Sequence, residues 1–175
     1  MHTNIVFTLT GTDRVGIVEE VTGLFLGLGG NVETSRMVRL GGEFAMLMLV
    51  ALPAEQLAGL EANLHSLTAQ GFKVTTQQTE LARAQSLAAG VPHQIQVRGA
   101  DHEGIIHEVA AYLSERGINI ESMNTETTPA ATSGTPLFSM DARVIVPQAL
   151  LSQSWQAALD GVGQRLNVDI NVVVA

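Results

Sequence analysis

The chain has 175 residues and carries 17 Asp and Glu against 9 Lys and Arg, a formal net charge of −8 that disfavours direct nucleic-acid binding through phosphate contacts. With 46% hydrophobic and 15% charged residues it is too apolar for a disordered chain and has enough apolar side chains for one core or two small ones. The absence of cysteine excludes disulfides, thiolate metal sites and cysteine nucleophiles, and suits a reducing compartment.

The N-terminal Met1-His2-Thr3-Asn4 lacks the basic stretch and apolar run of a signal peptide, and the longest apolar run, 44–53, is too short to span a bilayer. A cytoplasmic protein without membrane contact is expected. Asn4 to Thr10 is rich in β-branched residues and ends at Gly11, which predicts a strand. After Gly16, Val18, Val21, Leu24, Phe25 and Leu28 recur at helical spacing, and Gly29-Gly30 stops the helix. Asn31 to Leu40 and Glu43 to Leu52 are predicted strands joined by a Gly41-Gly42 turn. Pro53 opens a second helix with Leu57, Leu60, Leu64 and Leu67 on one face, ending at Gly71, and Phe72 to Glu80 is a fourth strand. The strand around 44–50 is apolar on both faces, which fits either a covered outer face or a thinly apolar exposed one.

Residues 81–92, with Gly90 and Pro92, read as a linker, after which the same order returns. His93 to Arg98 is a strand, Ile105 to Arg116 a helix, Ile118 to Thr127 and Leu137 to Val146 strands, Gln148 to Gly163 a helix and Leu166 to Val174 a strand. A longer loop at 129–134 replaces the Gly-Gly turn and is expected to be mobile. The repetition extends to the residues themselves. A shift of 88 positions sets Gly11 to Glu33 on Gly99 to Glu121 with 9 identities in 23 ungapped positions. Chance would give about one or two at ordinary residue frequencies. The sequence therefore predicts two α+β domains, 1–80 and 93–175. Each is a βαββαβ unit of the ferredoxin-like kind, an antiparallel sheet with its helices on one face. Cores this small are individually marginal, so pairing of the two domains, or a homodimer, is expected.

The functional candidates lie in the duplicated strand–helix turn. Gly11 to Gly16 and Gly99 to Gly104 precede helix N-termini, whose unpaired N–H groups attract carboxylate or phosphate. A phosphate loop would need Lys and Ser or Thr next; Ile17-Val18 and Ile105-Ile106 stand there instead, so nucleotide binding is not expected. Asp13 and Asp101 have helix capping as the favoured role and ligand contact as the alternative. Asn31 and Asn119, just after the glycine stops, are turn residues or amide contacts for a ligand. His102 and His107 are five apart, about 140° around a helix, so they do not form a zinc pair, and neither a metal nor another cofactor is expected. No serine stands near a histidine in a pattern that suggests a catalytic triad, and with aromatics at 4% the middle strands lack an RNA-stacking platform.

A strand, then Gly-x-Asp-x-x-Gly-Ile, an amphipathic helix and Gly-x-Asn-Ile/Val-Glu resembles the ACT domain, a small-molecule sensing module, and the pattern occurs twice. Two such modules with nothing else attached are similar to the tandem-ACT regulators of the glycine cleavage system. That resemblance implies units pairing into a continuous sheet and an amino acid effector, possibly glycine, bound around the first strand–helix loop. The candidate pockets become Asp13, Arg14, Val15, Gly16, Ile17 and Asn31 in one copy and Asp101, His102, Glu103, Gly104, Ile105 and Asn119 in the other. It further implies indirect control of transcription through contact with an activator protein, without DNA contact and without catalysis. Arg14-Val15 against His102-Glu103 predicts inequivalent sites, and neither copy has the proline often found there. Two other readings stay open: an interaction module without ligand, and a small acylphosphatase-like enzyme using Arg14 and Asn31.

Overall fold

Strand β1 (His2–Thr12) turns Ile5, Phe7 and Leu9 to the core and the residues between them to the opposite face, the period-2 alternation of a half-buried strand. It is longer than its β-branched centre because its register with β3 (Glu43–Pro53) runs from His2 opposite Pro53 to Thr12 opposite Glu43. The structure, a computed structural model, describes residues 2–80 and 90–174 and divides into two units, Met1–Ala82 and Arg83–Ala175. The first unit continues with α1 (Ile17–Gly27), β2 (Asn31–Leu40), a short 3₁₀ segment (Ala54–Gly59), α2 (Leu60–Ala69) and β4 (Lys73–Thr79). The second holds β5 (Val91–Ala100), α3 (Ile105–Glu115), β6 (Asn119–Pro129), β7 (Pro136–Val146), a 3₁₀ turn (Gln148–Leu150), α4 (Trp155–Leu166) and β8 (Val168–Val174).

Both sheets have the same order, β2-β3-β1-β4 and β6-β7-β5-β8, with every hydrogen-bonded pair antiparallel. The repeat extends to its irregularities, since a register shift falls between Val32 and Thr34 and again between Ile120 and Ser122. Each unit is therefore a ferredoxin-like βαββαβ fold of the α+β class. In the first core Phe7 meets Phe25 edge-on at 5.1 Å, with Met46, Met48, Val50 and Leu52 of β3 beside them. In the second, Trp155 at the head of α4 is buried, accepts a hydrogen bond on its carbonyl from the Tyr112 hydroxyl, and packs edge-on against His93 at 5.5 Å.

Several boundaries differ from expectation for local reasons. α1 starts at Ile17, so the buried face is Ile17, Val21 and Phe25, while Val18 is 42% exposed. The expected helix from Pro53 is a 3₁₀ turn followed by α2, which buries Leu60, Leu64 and Leu67. α4 begins at Trp155 and runs through Gly163 to Leu166. Gly163 is not a stop: a Cβ there would lie 2.8 Å from the Val168 carbonyl oxygen and 2.9 Å from Ile170, so it is the point where α4 lies against β8. The chain turns out of α4 at Asn167, in the left-handed region at φ 53°. β5 begins inside the expected linker, whose residues 81–89 lie outside the described residues. The 129–134 loop is a turn tied by Ala130 N–H to the Thr135 carbonyl and Gly134 N–H to the Ala130 carbonyl, each at 2.8 Å.

The outward faces of the two sheets differ. Ala45, Leu47, Leu49 and Ala51 of β3 alternate with the core residues of the first unit, and Leu47 is 47% exposed, with Val38 and Leu40 also exposed further along β2. The corresponding face of β7 carries Asp141 and Arg143, paired with Arg98 at 2.8 Å and Glu121 at 2.9 Å.

Candidate functional site

The duplicated turn has the same backbone in both units. Gly16 and Gly104 precede α1 and α3 at φ 94°, and neither helix has a side-chain cap. The favoured capping role of Asp13 and Asp101 is thereby overturned, because the left-handed glycine three residues later occupies the cap position. Asp13 instead donates its N–H to the Gly42 carbonyl at 3.0 Å and pairs its carboxylate with Arg39 at 3.2 Å; the Asp101 N–H goes to the Pro136 carbonyl at 2.9 Å. Ile17 and Ile105 are core residues, each 2% exposed, so they offer a ligand only their backbone amides. Val15 is fully exposed.

The side chains beside the glycines diverge. Arg14 is held by Glu20, with which it forms an ion pair, and by the Gln70 side-chain oxygen at 2.6 Å, while the Gln70 amide donates to Glu20 at 2.7 Å. Its guanidinium also lies 5.4 Å from the centre of the Phe72 ring. Hydrogen bonds from Arg14, then Gln70, hold the Glu20 carboxyl below its ordinary pKa. The first loop is thus fastened to the end of α2. In the second unit His102 places Nε2 2.6 Å from the Leu166 carbonyl oxygen at the end of α4 and Nδ1 2.9 Å from the Glu103 carbonyl oxygen. These two contacts, the Leu166 one first, raise its pKa above that of an ordinary imidazole.

Beside this second loop lies an open cavity of about 680 Å³, lined by Asp101, His102, Glu103, Gly104 and Ile105 of the loop, Ile106, His107 and Ala110 of α3, and Thr125, Thr127 and Phe138 from the adjoining ends of β6 and β7. Five of the six residues expected in the second site therefore gather at one cavity. A cavity of about 480 Å³ in the first unit lies around the Gly41-Gly42 hairpin, with Val38, Leu40, Phe44 and Lys73 in its wall, and includes none of Asp13 to Ile17. Sequence reasoning missed Ile106, His107, Ala110, Thr125, Thr127 and Phe138. The signal for the last three was the register, since Thr127 lies opposite Phe138, which lies opposite Gly99.

Asn31 and Asn119 do not join their loops. β1 and β2 run in the same direction, so the start of β2 is at the end of the sheet remote from the β1–α1 turn. Asn31 is opposite Ala51 and Thr12 is opposite Glu43, eight residues along β3, or roughly 26 Å at strand rise. Asn119 and Ala100 are separated in the same way along β7, opposite Ile145 and Leu137. Within one unit the asparagine and the loop cannot hold the same small molecule. This also removes the acylphosphatase-like pairing of Arg14 with Asn31 on one phosphate within that unit. Among the described residues no group of acidic or histidine side chains is arranged to hold a metal ion, and no helix is long and apolar enough to cross a membrane.

The fold and the duplicated glycine turn define a class. Residues 3–77, nearly all of the first unit, match the family model for the ACT domain, and the second unit repeats that unit's element order, strand order and turn, so the chain has the fold of two ACT-like units in tandem. It resembles the glycine cleavage system transcriptional repressors of Escherichia coli (strain K12) and Shigella flexneri, with 28% identity over 127 residues in each, 72% of this chain. The match spans 66% of those relatives' own length. The whole fold is shared with a crystal structure of an unknown protein from Galdieria sulphuraria, 34% identical over 100% of this chain and 99% of that one, with a TM-score of 0.86. A crystal structure of a candidate glycine cleavage system transcriptional repressor covers 100% of this chain and 98% of its own at a TM-score of 0.72, with 22% identity, and shares the fold.

Proposed function

We propose that this chain is an amino-acid-responsive regulatory protein that acts on transcription indirectly, by contact with an activator protein, and that the second unit holds the effector. The observation carrying this reading is the cavity at the Asp101–Ile105 turn, in a chain of two ACT-like units similar to glycine cleavage system repressors. The chemistry suits a zwitterion. The first intrahelical bond of α3 runs from Glu108 N–H to the Gly104 carbonyl, so the amides of Ile105, Ile106 and His107 have no partner within the helix and can meet a carboxylate. Asp101, Glu103 and the Thr125 and Thr127 hydroxyls can meet an ammonium. Control follows if the effector prefers one arrangement of the protein, limited by its difference in affinity for the two.

Isothermal titration and thermal shift against the twenty amino acids, glycine first, test this. At a hundred times its Kd a ligand adds about 2.7 kcal/mol of stability. We expect one site per chain, weakened by Thr127→Val and His107→Ala and unaffected by Asn31→Ala. No response to any amino acid at millimolar concentration would refute it. The reading would then become an interaction module without ligand, which the exposed Val38, Leu40 and Leu47 on the first sheet independently favour.

A further inference from the structure

We propose that His102 is a protonation-dependent latch that ties the cavity-lining turn of the second unit to the end of α4, at the place where the first unit uses a permanent cation. Both ring nitrogens face carbonyl oxygens, Leu166 at 2.6 Å and Glu103 at 2.9 Å. A neutral imidazole donates from one nitrogen only and would set the lone pair of the other against an oxygen; the imidazolium donates from both. The Leu166 carbonyl belongs to the last turn of α4, where helix carbonyls lack intrahelical partners and the helix dipole favours a cation. The repeat supplies the control: Arg14, at the matching position, bonds to Gln70 at the end of α2, and a guanidinium does not titrate.

The surrounding charges support a cation at His102. Asp101, in its own turn, favours the charged ring, and Glu103 adjoins it. α3 contributes Glu108 and His107, the latter in the wall of the same cavity. On α4 the Arg165 guanidinium bonds back to the Gly161 carbonyl at 3.2 Å, and on β8 Asp169 is opposite Arg98 in the ladder. Because the folded pKa is raised, the latch is fully formed below the unfolded imidazole pKa and is lost as pH rises through the folded value. The second turn then loosens around its cavity, and the first does not.

The test needs no effector. Imidazole ¹⁵N titration of the whole chain, with His102 assigned by the signal missing in His102→Gln, is paired with amide exchange of the hydrogen-bonded amides in segments 101–110 and 13–22, corrected for intrinsic rates, from about pH 5.5 to about pH 9. The expected result is a His102 midpoint above that of the urea-unfolded chain and a severalfold loss of protection in 101–110 across it. Segment 13–22 should stay flat, and His102→Arg should keep 101–110 protected throughout. A midpoint at or below the unfolded one, flat protection in the wild type, or an equal loss in His102→Arg overturns the latch. Failure here leaves the amino-acid reading standing, and failure to bind any amino acid leaves the latch standing.

Discussion

Two glycines five residues apart in the second unit are required for different reasons, and alanine at each separates them. Gly104 sits at φ 94° with nothing within 4 Å of where a Cβ would stand, so Gly104→Ala introduces backbone strain and no clash. The left-handed conformation costs an L-residue about 1–2 kcal/mol. Loss of glycine's freedom in the unfolded chain returns about 0.4–1 kcal/mol. The net destabilisation is about 1 kcal/mol, which lowers a urea midpoint by roughly 0.5–1 M at an m-value of about 1–2 kcal/mol/M. Gly99 has the opposite problem: a Cβ there would lie 2.6 Å from Cγ1, 3.0 Å from Cβ and 3.1 Å from Cα of Val168. Relief requires β8 to shift, an overpacking cost of about 1–3 kcal/mol. Asparagine, which tolerates positive φ, should recover part of the loss at Gly104 and none at Gly99. Equilibrium urea unfolding of the four variants, followed by Trp155 fluorescence, makes the comparison within the unit that carries the substitutions. Equal midpoints for Gly104→Ala and wild type, or asparagine no better than alanine at Gly104, would refute the left-handed turn.

Phe7→Ala removes a fully buried ring that meets Phe25 edge-on, and should cost about 3–5 kcal/mol in the same denaturation, read by circular dichroism because the first unit has no tryptophan. Tyr112→Phe leaves the Trp155 carbonyl without its hydroxyl donor and should cost about 0.5–1.5 kcal/mol, detected as an earlier fluorescence transition. Arg14→Ala breaks a part-exposed tie, so its effect at neutral pH should stay below about 1 kcal/mol and shrink in high salt. The depressed Glu20 pKa fixes the sign: its contribution is present above the unfolded carboxyl pKa and lost as pH falls through the folded value, so Arg14→Ala and wild type should converge in acid.

The strands and the duplication were legible because they depend on local pattern: alternation in Ile5, Phe7 and Leu9, paired glycines at 41 and 42, and nine identities at a fixed shift. What pattern does not encode is three-dimensional approach. Gly163 reads as a helix stop until Val168 and Ile170 are seen against it, and Asp13 reads as a cap until Gly16 is found in the left-handed region. The placement of Asn31 and Asn119 was open to reasoning and was missed. A strand–helix–strand path whose strands run the same way must return the chain to the start of the first strand. A residue opening β2 therefore cannot reach the turn that ends β1 in its own unit. Thr125, Thr127 and Phe138 reach the second turn for the complementary reason, since antiparallel pairing brings the far end of β6 and the near end of β7 beside the end of β5.

Duplication gave this chain two copies of one turn, and the copies differ where a difference has consequences. Arg14 is joined to Glu20 and Gln70, so each polar group of that triad already has a partner, and a ligand would have to displace one of them. The second turn has no such triad: its cation is titratable, its fasteners are two backbone carbonyls, and a cavity opens beside it. Ligand-responsive elements come from the less stable parts of a fold, because a segment must be able to move before binding can bias its position. If the tie at Arg14 is what silences the first turn, loosening it should matter more than adding groups to it. Gln70→Ala with Glu20→Ala would free the guanidinium beside the amides of α1. A second, weaker amino-acid site appearing in titration of that double variant would show that the two turns share one binding chemistry and differ in whether it is already occupied from within. Retention of a single site would place the difference in the shape of the cavity, with Thr125, Thr127 and Phe138 as the residues that make it.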